Sequence, residues 1–338
     1  MSTGSGSGDD ANELLLLGQS VMVAKVLSLI AEIGVADLFD GRPLTVEHLA
    51  ERTGTVSSAL RSFLRLLAGH GVVEELPDGR FELTARGTLL RSDHPNSLRS
   101  ILRLYTMLYA TFDRADHTLY TGQSAFELVN DKPPFEYYRE NPELGALFDA
   151  AMADMSRGER DDLIRWYDFS PYRHIVDVAG GDGTLLTAVL KKYPDAAGTV
   201  FEQEHVVAAA VRSSVRCGLE ERMAVVAGDF FTEVASGGDL YILKSVVHDW
   251  PKDKAEIILR RCHEAMSSGT RLVLFERVLF PDNVYDQAKT HDVMMRTLFS
   301  GAERTVAQFR ELLADCGFDF IGTTRVGDTL HAVEATRR

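Results

Sequence analysis

The chain has 338 residues, of which 45% are hydrophobic and 25% charged, as in ordinary globular proteins of two domains. Its formal net charge of -14 argues against a nucleic-acid partner, because the protein would repel the phosphates. Its three cysteines, Cys217, Cys262 and Cys316, lie far apart and form no CxxC pair, which argues against a disulfide framework or a zinc site and predicts reduced thiols in a cytoplasmic protein.

The first predicted element is an apolar helix near the N-terminus. Residues 1–10 lack the basic region of a signal peptide and are expected to be a disordered tail. Residues 14–31 are almost all apolar, but Lys25 near the middle would be costly in lipid, so a membrane span is the weaker interpretation. A helix that is apolar on every side must be buried. Near a chain end the simplest burial is between two subunits, so we expect a homodimer and no membrane partner.

The next segment, residues 45–92, is typical of a winged helix-turn-helix. Thr45 can cap the first of two short helices, and two short strands around a Pro-Asp-Gly turn can form the wing. Such modules often bind DNA, but the second helix offers only Arg61 and Arg65 as cations. We therefore predict a structural or dimerisation module within a mostly helical N-terminal domain of residues 11–105.

Residues 106–165 are predicted to be helices that connect the two domains. They are unusually rich in aromatic residues and methionine, among them Phe148, Met152 and Met155. Such residues usually belong to a core. Because they crowd one connecting segment, they also suit the cover of a pocket for a flat, apolar ligand.

From His174 onward the pattern changes to strands alternating with helices, which predicts a parallel sheet with helices on both faces. Strands are predicted at residues 174–179, 198–201, 223–227, 239–244 and 270–277. Two later runs, residues 319–324 and 329–335, are too close in sequence for a parallel crossover and should pair antiparallel. The C-terminal domain, residues 166–338, is therefore predicted to be a Rossmann-like α/β domain.

A glycine-rich loop follows the first of these strands. Residues 176–184 read VDVAGGDGT, and a helix is predicted directly after them. Glycine lets the backbone pass close to a ligand, and Asp177 can bind a ligand cation or orient the loop. Glu202 ends the second strand, nineteen residues after Gly183. A carboxylate at that position is placed to accept hydrogen bonds from both hydroxyls of a ribose.

Two nucleoside cofactors fit a loop of this kind in principle. The spacing of the small residues from Ala179 is two and two, whereas the dinucleotide fingerprint GxGxxG needs two and three. Asp177 and Asp182 would also repel a pyrophosphate. S-adenosylmethionine has no phosphate, and its sulfonium and ammonium groups are cationic, so acidic residues favour it. The loop and Glu202 therefore predict S-adenosylmethionine as cofactor and S-adenosylhomocysteine as its product.

Two further motifs follow strand ends, where open α/β sheets bind ligands. After the third strand, Asp229 can bind an adenine amino group and Phe230 can cover the ring, although a polar loop beside a buried aromatic would look the same. After the fourth strand comes His248, on the same edge as the glycine loop. Methyl transfer from a sulfonium is an in-line displacement, so the enzyme must align the nucleophile and remove its proton. A neutral histidine with a pKa of about 6.5 is a workable base for a phenol with a pKa of about 10.

Together these motifs resemble the metal-independent small-molecule O-methyltransferases typified by plant caffeate and flavonoid enzymes, whose bacterial members modify natural products. The resemblance covers nearly the whole chain. Its most specific segments are residues 176–183, 228–231, 243–250, 275–279 and 301–305. It implies a homodimer built through the N-terminal domain, an S-adenosylmethionine-binding C-terminal domain, no metal, and methylation of a phenolic hydroxyl on an aromatic small molecule.

The resemblance also implies roles for individual residues. The implied cofactor contacts are Asp177, Gly181, Glu202, Gln203, Asp229, Phe230, Lys244 and Ser245. The implied catalytic residues are His248 as general base and Glu276 and Glu303 as the carboxylates that flank it. The implied contacts to the aromatic acceptor are Phe148, Met152, Met155, Asp249, Met294, Met295 and Phe299.

Three residues depart from the family pattern. Ala179 replaces the first glycine of the loop, which is tolerable if that residue needs no positive φ. Glu202 begins Glu-Gln-Glu where the family has Asp-Leu-Pro, and the longer carboxylate can still reach a ribose. Ala302 replaces a basic residue without a clear consequence. None of the three changes removes a group that methylation of a phenol requires.

Two other functions stay open. The chain could keep the fold and cofactor but catalyse hydroxylation or decarboxylation, because a fold does not fix a function. His248 and both glutamates argue against this, since such chemistry needs no deprotonation of a phenol. The winged module could also belong to a DNA-binding regulator, which the acidic net charge disfavours. The sequence does not identify the acceptor.

Overall fold

The structure, a computed structural model, describes residues 6–338, which form two compact units. The first unit comprises the described residues up to Tyr109 together with Glu140–Met155. The second comprises Ala110–Arg139 and Ser156–Arg338. The predicted connecting segment, residues 106–165, is therefore divided between the two units instead of forming a body of its own.

The first unit is helical apart from one small hairpin. Its elements are α1 (Gly6–Ile33), α2 (Val46–Thr53), α3 (Ser57–Gly69), β1 (Val73–Glu75), β2 (Phe81–Leu83), most of α4 (Arg99–Phe112) and the first part of α8 (Pro142–Trp166). Thr45 Oγ1 accepts a hydrogen bond of 3.2 Å from the backbone N–H of His48, which confirms the predicted cap of α2. Strands β1 and β2 pair antiparallel at the position predicted for the wing.

Helix α1 has an exposed N-terminal part and a buried C-terminal part. Residues 6–10, expected to belong to a disordered tail, are already helical, while residues 1–5 of that tail lie outside the described residues. Val26 and Ile30 are buried in the core of the first unit, whereas Leu14 is 71% exposed and Leu17 is 69% exposed. By length and composition alone, residues 9–33 could cross a membrane, and 22% of their most apolar 18-residue window is buried within the chain. The expected burial on every side is therefore not provided by this chain alone.

The second unit is built on a seven-stranded sheet. Its strands are β3 (His174–Val178), β4 (Ala197–Glu202), β5 (Met223–Ala227), β6 (Leu240–Lys244), β7 (Arg271–Glu276), β10 (Phe318–Val326) and β11 (Leu330–Arg337), beside the short pair β8 (Val278–Leu279) and β9 (Arg304–Thr305). Its helices are α5 (Ala115–Thr121), α6 (Ala125–Asn130), α7 (Pro134–Glu140), the rest of α8, α9 (Thr184–Lys192), α10 (Glu204–Cys217), α11 (Lys252–Ala265), α12 (Gln287–Phe299) and α13 (Val306–Asp315). The strands differ from their predicted bounds by a few residues at most.

The strand order of the sheet is β10-β11-β7-β6-β3-β4-β5. Strands β3 to β7 are parallel and β10 and β11 are antiparallel, as predicted, so the α/β fold class is confirmed. The chain runs outward from β3 to β5 and then returns to β6 on the other side of β3. This reversal brings the carboxyl ends of β3 and β6 together, which is where open α/β sheets bind ligands.

Helices cover both faces of the sheet because successive residues of the central strands point to opposite sides. On one face Tyr241 and Leu272 pack with Phe309 of α13. On the other face Ile242 and Val273 pack in a cluster with Leu186 of α9. All six side chains are fully buried. The sheet is therefore a rigid base for the loops at its carboxyl edge.

Candidate active site

Asp177 is buried near the end of β3, beneath the glycine loop. A Cβ atom added at Gly180 would come within 2.8 Å of Asp177 Oδ2, so only glycine permits this close approach. Asp177 Oδ2 has no hydrogen-bond partner. Burial raises the pKa of Asp177 to about 7, although the ammonium of Lys244 opposes the shift. A buried carboxyl with an unsatisfied oxygen is suited to a cationic ligand group.

The backbone of the glycine loop is left-handed at three residues. Gly181 has φ 59° and Gly183 has φ 72°, which glycine adopts without strain. Ala179 has φ 57°. Alanine was expected to be tolerable here only if the residue needs no positive φ, and that condition is not met. A Cβ in the left-handed region costs on the order of 1–2 kcal/mol. The loop is therefore strained at Ala179.

Glu202 at the end of β4 holds the glycine loop in place. Its Oε2 accepts a hydrogen bond of 2.9 Å from the N–H of Gly181, and its Oε1 accepts one of 2.7 Å from the N–H of Gln203. Gln203 is the residue before α10. The side chain predicted to bind a ribose thus lies beside the loop, half-buried, with both oxygens near the carboxyl edge of the sheet.

Asp229 and Phe230 follow β5 in a short turn. Asp229 Oδ1 accepts a hydrogen bond of 2.9 Å from the N–H of Phe231. The Phe230 ring lies 4.8 Å from that of Phe231 and 6.0 Å from that of Trp250, measured between ring centres. The half-buried Phe230 is therefore held in an aromatic cluster at the same edge of the sheet as Glu202.

Lys244, the last residue of β6, belongs to a buried ion network. Its Nζ donates hydrogen bonds to Glu159 Oε2 at 3.0 Å and to Ser156 Oγ at 3.1 Å. Arg277 donates to the other oxygen of Glu159 at 2.8 Å. Burial alone would raise the pKa of Glu159, but the two cations lower it below its ordinary value. Neither Glu159 nor Arg277 was identified from the sequence, although Arg277 directly follows the predicted Glu276.

Ser245 follows Lys244 with a left-handed backbone, at φ 55°. Its N–H donates a hydrogen bond of 2.9 Å to the carbonyl of Phe275, while its buried Oγ has no partner. A serine in this conformation is uncommon, and such strain is concentrated at functional sites. Ser245 thus lies directly after β6 in a strained conformation, with an unsatisfied hydroxyl.

His248 lies in a short 3-10 turn after β6, and Glu276 ends the neighbouring strand β7. Their side chains meet at 2.6 Å between His248 Nδ1 and Glu276 Oε2. Glu276 is fully buried, and its other oxygen accepts hydrogen bonds from the N–H groups of Val246 at 3.1 Å and Val247 at 2.7 Å. Because that carboxylate is held by two backbone donors, the neutral form of His248 carries its hydrogen on Nδ1 and its lone pair on Nε2.

The proton affinity of His248 differs from the ordinary value expected from the sequence. Burial by itself would lower the pKa of His248, but Glu276, Asp249 and Glu303 outweigh it and raise that pKa to about 9. Asp249 Oδ1 lies 3.5 Å from His248 Nε2, and burial raises the pKa of Asp249 to about 7. The expectation of a pKa near 6.5 was wrong because it ignored this concentration of acidic groups around one ring.

Glu303 links His248 to a second histidine, His291 of α12. Glu303 Oε1 lies 2.6 Å from His291 Nδ1 and 3.6 Å from His248 Nδ1, and the centres of the two histidine rings are 5.1 Å apart. The N–H of Glu303 donates a hydrogen bond of 3.0 Å to Asp292 Oδ1. His291 was missed in the sequence because it lies within a helix rich in methionine, where a lone histidine carries no motif.

Three of these side chains have ligand atoms close enough together to hold one metal ion. His248, His291 and Glu303 each offer one ligand atom, and these atoms lie within 4.8 Å of one another. Two imidazoles and a carboxylate form a donor set that zinc accepts. Each of the three side chains also has a hydrogen-bond partner within the described chain, so a metal would compete with bonds of 2.6 Å.

The side chains predicted to contact the acceptor lie in both compact units. In the second unit, Met295 is buried on α12, Met294 is half-buried, and the ring of Phe299 lies 5.3 Å from that of Phe135. The remaining ones, Phe148, Met152 and Met155, belong to the first unit and pack against a cluster of Ile101, Leu104 and Ala151. Their part in binding an acceptor stays a prediction.

Two family models match the chain. Residues 113–319 match the O-methyltransferase domain, and residues 15–93 match the O-methyltransferase dimerisation domain. Phenazine O-methyltransferase PhzM of Lysobacter antibioticus is 34% identical over 323 residues, which cover 95% of each chain.

Solved structures extend this similarity to three dimensions. The crystal structure of LaPhzM has a TM-score of 0.92 at 33% identity, covering 97% of this chain and 99% of that chain. NcsB1, an O-methyltransferase from neocarzinostatin biosynthesis in complex with S-adenosylmethionine and 2-hydroxy-5-methyl naphthoic acid, has a TM-score of 0.81 at 31% identity, covering 93% of this chain and 96% of that chain. The chain therefore belongs to the S-adenosylmethionine-dependent O-methyltransferase family and carries that family's dimerisation domain before its catalytic domain.

Proposed function

We propose that this enzyme methylates a phenolic hydroxyl of an aromatic small molecule, with S-adenosylmethionine as methyl donor and His248 as general base. The observation that carries the proposal is the pair formed by His248 and Glu276. Glu276 is fully buried, bonded to two backbone N–H groups, and 2.6 Å from His248 Nδ1. This arrangement fixes the ring and leaves Nε2 to take a proton from an acceptor.

The raised proton affinity of His248 suits an oxygen nucleophile. With a pKa of about 9, His248 is close to an ordinary phenol, whose pKa is about 10, so moving the proton between them costs little free energy. The nearby carboxylates of Glu276 and Glu303 then stabilise the imidazolium that forms. An amine nucleophile needs no such base, so the pair favours methylation of oxygen over nitrogen.

The residues at the carboxyl edge of β3 and β4 fit the proposed cofactor. S-adenosylmethionine supplies a methyl group on a cationic sulfonium when it is bound. The unsatisfied Asp177 Oδ2 can hold a cationic group, Gly180 and Gly181 allow close approach, and the Glu202 carboxylate can accept ribose hydroxyls. Gln203, Asp229, Phe230, Lys244 and Ser245 complete the proposed contacts, with Phe230 placed to cover a flat ring.

The proposed acceptor is a flat natural product or its precursor. PhzM acts on a phenazine, and NcsB1 was crystallised with a hydroxynaphthoic acid, which supports an aromatic acceptor here. We assign its binding to the methionine- and aromatic-rich set of Phe148, Met152, Met155, Asp249, Met294, Met295 and Phe299. Methionine adapts its shape to different ligands, so this set favours an aromatic class over one specific compound.

We also infer a homodimer that works without a metal in the cytoplasm. The match to the dimerisation domain and the exposed leucines of α1, from Leu14 to Leu17, support the dimer. The three free cysteines support a reducing compartment. Sedimentation should give twice the mass of the chain, and Leu15→Glu should shift the enzyme toward the monomer, because it places a charge in the proposed interface.

The experiment that tests the proposal follows a labelled methyl group from S-adenosylmethionine to a panel of phenols, catechols, hydroxynaphthoic acids and hydroxyphenazines. A chelator is present throughout, and each product is examined for the methylated atom. We expect label on oxygen, at the same rate with and without chelator. Loss of activity with chelator would contradict the metal-independent mechanism. Cofactor binding without any labelled product, or a product hydroxylated or shortened by decarboxylation, would contradict O-methylation.

A further inference from the structure

The proposed base has a histidine neighbour that the mechanism does not use. His291 lies on α12 with its ring centre 5.1 Å from that of His248 and at 73° to it. One nitrogen of each ring lies within 4.8 Å of the other. The side chain of His291 is 11% exposed, so it is held inside the protein beside the catalytic cluster.

Glu303 fixes the orientation of His291. The 2.6 Å bond joins Glu303 Oε1 to His291 Nδ1, and Glu303 itself is anchored by its N–H to Asp292 Oδ1 on the same helix. Burial raises the pKa of Glu303 to about 7. In its ionised form Glu303 accepts the hydrogen bond, so Nδ1 of His291 carries the hydrogen and the lone pair of the ring lies on Nε2. Burial, with Arg277 and His248 nearby, lowers the pKa of His291 to about 2, so the ring stays neutral.

We propose that His291 is an acceptor-binding residue that receives a hydrogen bond from a second donor group next to the hydroxyl that His248 deprotonates. The inference rests on the proposed function and names its substrate class: aromatic molecules with two adjacent donors, such as an ortho diol or an ortho aminophenol. The two ring centres are 5.1 Å apart, a spacing over which one nitrogen of each ring can bond one of two oxygens on neighbouring ring carbons through hydrogen bonds of about 2.8 Å.

Because His291 is neutral, its role differs from that of His248. His248 has a raised pKa and can take a proton from the reacting hydroxyl. His291 does not take up a proton at ordinary pH and can only accept a hydrogen bond through Nε2. A molecule with a methoxy group in place of its second hydroxyl has no hydrogen to donate, so it leaves Nε2 buried without a partner. Leaving a buried acceptor unpaired weakens binding by about tenfold or more.

The test measures equilibrium binding of two probes to the full-length enzyme saturated with S-adenosylhomocysteine, which excludes turnover. The probes are 2,3-dihydroxynaphthalene and 3-methoxy-2-naphthol, and 3-amino-2-naphthol serves as a second donor. We expect the wild type to bind the diol and the aminonaphthol about tenfold more tightly than the methoxy compound. His291→Leu should reduce that ratio to about one, and His291→Gln, which retains an acceptor oxygen, should keep most of it.

The control is His331→Leu, a partly buried histidine of β11 outside the proposed site, which should retain the wild-type ratio. An equal ratio in wild type and His291→Leu, or no preference for the diol in the wild type, would overturn the proposal. A preference that disappears with chelator and returns with zinc would also overturn it, because a metal would then be the group that binds the diol. Methyl-transfer activity is measured separately. If no labelled product forms but the wild type still prefers the diol and His291→Leu does not, O-methylation is rejected and the role of His291 in binding is kept.

Discussion

The glycine loop and the histidine cluster lie on the same edge of one sheet but differ in how their buried carboxyl groups are paired. In the glycine loop, residues 179–183 with Asp177 beneath them, Ala179 is strained and Asp177 keeps an unsatisfied buried oxygen. In the histidine cluster, His248, Glu276, His291 and Glu303, each histidine bonds a carboxylate at 2.6 Å, and Glu303 Oε2 is buried without a partner. The loop therefore gains from a cationic ligand, whereas the cluster is organised by the chain itself.

This difference implies that binding of the cofactor and removal of the proton are separable. In the proposed function Asp177 offers its charge to the cofactor, and burial makes that charge unfavourable in the chain alone. Glu276 contributes its charge to another side chain of the same protein. Substitutions in the glycine loop should therefore leave removal of the proton nearly intact, and substitutions in the histidine cluster should leave the affinity for the cofactor nearly intact. A substitution that impairs both equally would contradict the account.

The largest effect is expected for His248→Ala. Removing a positioned general base lowers turnover by about 10²–10⁴-fold. The affinity for S-adenosylmethionine should stay within about threefold of wild type, since the glycine loop lies on a different strand end. Turnover with labelled cofactor and calorimetric titration of the cofactor check the two halves of this prediction. A loss of cofactor affinity comparable with the loss of turnover would place His248 among the cofactor contacts instead.

A smaller effect is expected for Asp177→Asn, which keeps the shape but removes the charge. The affinity for S-adenosylmethionine should fall by about ten- to a hundredfold, as expected for one charge-assisted hydrogen bond. Turnover at saturating cofactor should change less than in His248→Ala. The matched control is Asp195→Asn, a carboxylate whose side chain is 85% exposed, and its cofactor affinity should equal that of the wild type.

The same variant should alter the pH dependence of stability. Because the folded-state pKa of Asp177 is raised to about 7, the stability linked to its protonated form is present at low pH and is lost as the pH rises through 7. Asparagine stays neutral and avoids this loss. In the absence of cofactor, the free energy of unfolding of Asp177→Asn in urea should therefore rise relative to wild type between pH 5 and 8. A constant difference between the two proteins over that interval would contradict the raised pKa.

The smallest effect is expected for Ala179→Gly. Glycine relieves left-handed strain of about 1–2 kcal/mol but has a larger conformational entropy in the unfolded chain, so a net stabilisation of about 0.5 kcal/mol is expected. Urea unfolding measures it. Ala208→Gly in helix α10 is the contrasting control and should destabilise by roughly 0.5–1 kcal/mol. Destabilisation by both variants would mean that Ala179 is not strained.

Sequence reasoning predicted the features that repeat along the chain. The strands and helices of the C-terminal domain followed from hydrophobic alternation. His248 follows β6 and Glu276 ends β7, and these strands are neighbours, so both residues lie at one edge of the sheet. Their pairing at 2.6 Å follows from that order, because the carboxyl ends of neighbouring parallel strands adjoin. Local signals and sheet geometry therefore located His248, the proposed base, and the family resemblance located Glu276.

Other features depend on contacts between distant segments and were not predictable in this way. His291 becomes informative only when α12 brings it to Glu303, and Glu159 of α8 only when it meets Lys244 and Arg277. The pKa of His248 depends on carboxylates at several positions in the chain. The left-handed backbone of Ala179 was not predictable either, because alanine disfavours a positive φ.

The most direct test of the account is the pH dependence of kcat/KM in wild type and Glu276→Gln. In the wild type the rate should rise by about tenfold per pH unit at low pH and level off near pH 9, where His248 loses its proton. In Glu276→Gln the midpoint should move to lower pH, with a lower plateau, because the carboxylate no longer stabilises the imidazolium. A rate independent of pH up to about 9, or an unchanged midpoint in the variant, would contradict a base whose proton affinity Glu276 raises.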